Sequence, residues 1–228
     1  MRTTRQSRYA GRILAFAILI VSPLGMAQDI SHYGVPLLGC PSQIKLSIPK
    51  EFSKADTAVE QKQRTKILDT LHANKARKAR YSEIFLANWG SENGLPYISV
   101  SSLGTLIRSQ GTISQSDWRK IRDEFLKSTT VSRQKLIEKQ IQRYNAGSAV
   151  NAHTVRAEMP TLFEEGDTTI VMVGSSTSVV EGRTLEVLTA AKLAYVHKCI
   201  ATVQVAVDAD APNALGVLSR YMSQVAIK

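Results

Sequence analysis

Cysteine is scarce in this chain. There are two, Cys40 and Cys199, in 228 residues. With no Cys-x-x-Cys pair, thiol redox catalysis is not expected. Histidine is scarce too. His32, His72, His153 and His197 are scattered, with no His-x-His or His-Glu-x-x-His spacing to set two metal ligands side by side. No Gly-x-Gly-x-x-Gly or Walker-type loop is present, so the common phosphate cradles are missing. A Gly-x-Ser-x-Gly nucleophile turn is absent as well. The one serine cluster, Gly174-Ser175-Ser176-Thr177-Ser178, precedes what reads as another strand and suits a strand end or bulge. The acidic pairs Glu164-Glu165 and Asp208/Asp210 sit in expected turns, where solvation is the ordinary fate of carboxylates. The chain also lacks internal repeats and low-complexity linkers. These absences leave no catalytic constellation, no cofactor and no metal site to expect.

Long apolar runs are limited to one, residues 13–24, and it follows Arg2, Arg5, Arg8 and Arg12. Gly25-Met26-Ala27 then places small residues at positions −3 and −1 of a cleavage site. This is the pattern of a secretory signal peptide over residues 1–27, too short in its apolar part to span a bilayer as a stable helix. The expectation is a periplasmic protein cleaved after Ala27, with about 200 residues left for a single core.

Loss of the four leader arginines lowers the formal charge from +10 to +6. The remainder is uneven. Residues 28–151 hold 19 basic and 11 acidic side chains, whereas residues 152–228 hold 6 and 8. The densest basic segment is Lys75, Arg77, Lys78 and Arg80, with Tyr81 as its single neighbouring ring. That composition suits a protein or a lipid headgroup surface better than nucleic acid.

In an exported protein an even cysteine count suits a Cys40–Cys199 disulfide. Two other readings stay open. Leu37-Leu38-Gly39-Cys40 looks like a lipobox, which would anchor the chain as a lipoprotein at Cys40, although Gln28, Asp29, Ser31 and His32 separate it from the apolar run. The third reading is a pair of thiols.

The mature chain begins with residues 28–43, an irregular lead-in punctuated by Gly34, Pro36, Gly39 and Pro41. A single domain over residues 44–228 follows. Ile44, Leu46 and Ile48 alternate with Lys45 and Ser47 as a strand. Residues 57–78 carry a partial helical stripe, with Thr57 and Glu60 in capping-box positions. Residues 80–89 and 96–103 form a hairpin. Residues 114–145 carry the longest helical pattern, N-capped by Ser114 or Ser116, with Trp118, Ile121 and Phe125 on one face and a weak point at Ser128-Thr129-Thr130 that predicts a bend or a division into two helices. Residues 152–163 are extended, with a break at Pro160. Residues 168–207 hold three strands. The first is apolar on both faces over residues 168–173, and the second sets Leu185, Val187, Thr189, Ala191, Leu193 and Tyr195 on one face. His197-Lys198 marks a turn, and Leu215, Leu218, Met222 and Val225 stripe a closing helix over residues 212–227.

The order predicts an α+β fold: an antiparallel sheet with helices on both faces. Leu46-Ser47-Ile48-Pro49-Lys50-Glu51-Phe52 as opening strand, residues 113–125 as mid-chain helix and residues 196–225 as closing strand and helix resemble the PsbP-like superfamily. The resemblance implies a three-layer α/β/α sandwich and a role in partner binding or assembly support. It supplies no catalytic residues to carry over. The basic segment over residues 57–80 and the long pattern over residues 114–145 depart from the compact family plan. The functional expectation is a non-enzymatic envelope protein that binds another envelope protein, in an immunity or assembly-support role. The rivals are an envelope hydrolase with a non-standard site and a small-ligand carrier. Peripheral membrane contact would run through the basic segment.

The intact mass of the exported protein tests the leader. A chain beginning at Gln28 is expected; a lipid-bearing chain beginning at Cys40 would replace the cleavage reading with the lipoprotein one.

Overall fold

A computed structural model describes residues 29–37, 40–71, 81–91, 94–102, 112–128, part of 131–142, 152–158, 161–164, 166–180 and 182–228. Residues 1–27, expected as a leader, and the basic residues Lys75, Arg77, Lys78 and Arg80 lie outside the described residues, as do Leu38 and Gly39 of the lipobox-like run.

The described chain is α+β, and every strand pairing in it is antiparallel. The strands are β1 (Ile30–Val35), β2 (Ile44–Pro49), β3 (Tyr81–Leu86), β4 (Tyr97–Ser102), β5 (Ala152–Ala157), β6 (Thr161–Glu164), β7 (Thr169–Val180), β8 (Arg183–Val196), β9 (Cys199–Asp208) and β10 (Ala226–Ile227). The helices are α1 (Ala58–Leu71), α2 (Gln115–Lys127) and α3 (Ala214–Gln224). A seven-stranded sheet runs β3-β4-β9-β8-β7-β5, with β6 pairing β7 beside β5. A second sheet of three strands runs β1-β2-β10.

The hairpin β8–β9 organises the large sheet. Val196 pairs with Cys199, leaving His197 and Lys198 as a two-residue turn in which both have positive φ, 51° and 63°. That conformation matches the right-handed twist of the flanking strands, which offsets its steric cost in residues other than glycine. Gly182, at φ 79°, supplies the β7–β8 turn without that cost.

Alternation then sorts the side chains. Val171 and Val173 of β7 join Leu188 and Ala190 of β8 and Val203 and Val205 of β9 in the main core. Ile170, Leu193 and Ile200 join Trp118 of α2 in a second cluster. Successive strand residues point to opposite faces, so α2 lies on one face of the large sheet. Leu218, Tyr221 and Met222 of α3 share the main core on the other face, together with Ile44, Leu46 and Ile48 of the small sheet.

Three sequence expectations are corrected. Residues 30–35 of the supposedly irregular lead-in form β1, because β2 offers a full six-residue register from Ile30↔Pro49 to Val35↔Ile44. The serine cluster is neither strand end nor bulge but the middle of β7. Ser176 pairs with Val187 on one side and Ala157 on the other, so the ladder carries through it. The weak point in the mid-chain helix, by contrast, lies where expected: the helix stops at Lys127, where Ser128 turns extended and its N–H reaches the Glu124 and Phe125 carbonyls, and the described residues from Val131 onward are helical again. The closing helix ends at Gln224. Lys192, 8% exposed in the core, donates Nζ to the Val225 carbonyl at 3.0 Å, and β10 then pairs with β2. An ammonium there also faces the negative end of the α3 dipole.

Cys40 and Cys199 form a disulfide across 159 residues of sequence. It ties the β1–β2 connection to the start of β9. Replacing both by serine is expected to lower the unfolding free energy in urea by up to about 5 kcal/mol, the chain-entropy value for a loop of this length. An unchanged urea midpoint would show that the bridge constrains nothing.

Candidate functional site

The two faces of the large sheet differ in chemistry. On the α3 face, cross-strand rows read Ile98–Val205–Ala190–Val173 and Val100–Val203–Lys192–Val171. Apart from Lys192 they are apolar, and all are buried. On the opposite face the rows read Tyr97–Ala206–Thr189–Gly174, then Ser99–Gln204–Ala191–Met172, then Ser101–Thr202–Leu193–Ile170. These twelve residues include no charged side chain. Most are small or hydrogen-bonding, and Tyr97, Gln204, Thr189, Ala191, Gly174, Met172 and Thr202 are only half-buried.

Two helices flank this floor. α1 seats Ile67 and Leu68 against the cluster of Ile84, Leu86 and Trp89, against which Tyr97 also packs. α2 seats Trp118, Ile121 and Phe125 against Ile170, Met172, Leu193 and Tyr195. Both are capped as their sequences demand. Thr57 Oγ1 accepts the Glu60 N–H at 3.2 Å, while Glu60 Oε2 accepts the Thr57 and Asp56 N–H groups at 2.8 and 2.9 Å. Those bonds, Thr57's first and Asp56's next, hold the Glu60 carboxyl below its usual range. Ser114 caps α2 and, through its hydroxyl, lowers the Asp117 carboxyl likewise. Trp118 pins α2 down. Its indole stacks on Tyr195 at 6.1 Å and donates Nε1–H to the Asp167 carbonyl at 2.9 Å, while Tyr195 OH donates to the Ile113 carbonyl at 3.1 Å.

Within the floor, Gln204 Nε2 donates to Tyr97 OH at 3.3 Å. The surface can therefore offer hydroxyl and amide groups to a neutral polar partner. Among the described residues it holds no acid–base pair and no nucleophile beside a base.

The large sheet's edges are obstructed. β3 carries a bulge between Tyr81 and Glu83. The Glu83 carboxylate, 15% exposed, accepts the Ile84 N–H at 3.1 Å, Lys54 Nζ at 3.3 Å and Arg64 Nε at 3.0 Å. β5 carries a register shift between Thr154 and Arg156, with Val155 59% exposed and an Arg156–Glu158 ion pair at 3.3 Å. Bulges and edge charges are the usual means of refusing another strand.

Among residues singled out from sequence, the structure brings Cys40 and Cys199 together. His72 and the His153 side chain lie outside the described residues, whereas His32 Nδ1 lies 2.9 Å from Ser47 Oγ on the small sheet and His197 is in the β8–β9 turn. No group of three or more His, Cys, Asp or Glu among the described residues is placed to hold a metal ion. Asp208 Oδ1 is taken by the Asp210 N–H at 2.9 Å, an ordinary turn. The uncharged floor was missed. Its signal was the set Thr189, Ala191, Thr202 and Gln204, whose alternation was legible but whose helix cover was not.

No protein-family model matches the chain, and no curated protein matches it. Among solved structures it is similar to the solution structure of cyanobacterial PsbP (CyanoP) from Synechocystis, with a TM-score of 0.46 and 12% sequence identity over 91% of this chain and 96% of that one.

Glu83→Ala is expected to leave the Ile84 N–H and the Lys54 and Arg64 cations without their shared carboxylate and to open the β3 edge. Sedimentation should then show concentration-dependent self-association absent from the parent; a strictly monomeric variant would show that Glu83 does not guard this edge.

Proposed function

We propose that this chain is an exported, non-enzymatic protein that binds another envelope protein, and that the partner docks on the uncharged sheet face between α1 and α2. The observation that carries the proposal is the contrast between the two faces. One is filled by α3 and the small sheet, while the other leaves Tyr97, Gln204, Thr189, Ala191 and Met172 half-buried over an uncharged floor. Partially open, uncharged surfaces with a few hydrogen-bonding groups suit protein contact. The guarded edges direct a partner to the face and away from strand addition. The disulfide suits an oxidising compartment, in keeping with the leader expected over residues 1–27. A small-ligand carrier is the second reading, favoured by the same floor lying between two helices, and native mass spectrometry of gently purified protein would reveal a retained ligand.

Crosslinking in the periplasm, followed by purification and mass spectrometry, tests the proposal. One dominant envelope protein is expected with the parent chain. Ala191→Arg, which sets a long charged side chain in the middle of the floor, should reduce its recovery at least about tenfold, as interruption of an interface centre does. Val59→Arg, at a position 78% exposed on α1, should leave it unchanged. Recovery of no specific partner under several growth conditions, or equal recovery with Ala191→Arg, would overturn it.

A further inference from the structure

The two cysteines share one bond but not one environment. Cys199 opens β9 directly behind the His197–Lys198 turn and is 1% exposed. Cys40 lies in the β1–β2 connection, half-buried, and packs against the main core from its margin. Its N–H donates to the Leu37 carbonyl at 3.1 Å, and Pro41 and Ser42 beyond it are exposed. Thiol–disulfide exchange needs a thiolate to reach a sulfur, so access decides which sulfur of a bridge is attacked.

We propose that Cys40 is the exchange site of the folded protein, the sulfur at which a small disulfide or thiol reagent enters, and that Cys199 is the resolving thiol, reached from within. In bridge formation the Cys40 thiolate attacks one sulfur of a glutathione-type disulfide. That S–S bond breaks, and one glutathione leaves as its thiolate, which takes up the proton released by Cys40. The Cys199 thiolate then attacks the Cys40 sulfur of the mixed disulfide. The second glutathione leaves and takes the proton released by Cys199. Two protein thiols are oxidised to one disulfide, and one glutathione disulfide is reduced to two glutathiones. Reduction runs the same steps in reverse, with an incoming thiolate attacking Cys40 and Cys199 departing. The buried cysteine never meets the reagent. This inference concerns the bridge and is independent of the docking face.

The test compares Cys199→Ser and Cys40→Ser, each treated with glutathione disulfide while folded and again in urea. Folded Cys199→Ser is expected to take up one glutathione on Cys40. Folded Cys40→Ser should react at least about tenfold more slowly, as burial of a thiol dictates. In urea the two rates should converge. Equal rates in the folded proteins, or faster reaction at Cys199, would overturn the proposal. The parent protein supplies a check free of any folding defect in the variants. Limited reduction with glutathione under native conditions, acid quench and peptide mapping should find the mixed disulfide on Cys40, and a mixed disulfide on Cys199 would overturn the assignment equally.

Discussion

The register of β8 against β9 is the constraint on which the other packing depends. It is set where Val196 meets Cys199 across the His197–Lys198 turn. Because side chains alternate with a period of two, a slip of β8 by one residue against β9 would exchange every buried and open position on β8. Leu188 and Ala190 would then leave the main core, while Thr189 and Ala191 would enter it. The same register places Cys199 beside Cys40, so the disulfide and the sheet enforce one pairing.

From that register follow two unequal faces. The aliphatic rows around Val203 and Val205 are closed by α3, whose Leu218 and Met222 are buried against them, and by the inward side of β1 and β2. Lys192 is the polar exception in those rows. It is retained at low exposure because its ammonium meets the Val225 carbonyl at the end of α3, which compensates the cost of burying a charge. Among the described residues, the other face is closed at two places. There, Trp118 covers Ile170 and Leu193, and Ile67 and Leu68 approach Ile84 and Leu86. Between these anchors lies the half-open floor. The fold therefore presents an uncharged surface in a chain of formal charge +10, bounded by edges whose bulges and ion pairs refuse strand addition.

Much of the fold was legible residue by residue. The Thr57–Glu60 capping box, the Ser114 cap, the β3–β4 hairpin, the His197–Lys198 turn and the break near Ser128 all depend on neighbours within a few positions, and local chemistry decides them. Elements that depend on distant partners were misread. β1 lies in a segment rich in glycine and proline, and it exists because β2 presents a complete ladder. The serine-rich middle of β7 has low strand propensity, and it stays extended because β5 and β8 pair it on both sides. The apolar stripe that Val225 continues predicts a last helical turn where β10 lies. A buried lysine and a free edge of β2 end the helix instead.

The second strand of the closing trio shows where sequence reasoning stops. Leu185 to Tyr195 at odd positions form one face, as their alternation predicts, and Leu193 is buried there. Yet the tighter core lies under the even positions Leu188 and Ala190, whose cover comes from α3 and β2, elements far away in the chain. The sequence by itself determined the class of fold, the local caps and turns, and the pair of cysteines suited to a bridge, because each rests on periodicity, short-range hydrogen bonding or residue count. The tertiary structure alone decided which face of the sheet is closed, which cysteine is buried and where an uncharged surface is left open. Those depend on long-range packing, where the same alternation is compatible with either face being inside until helices cover one of them.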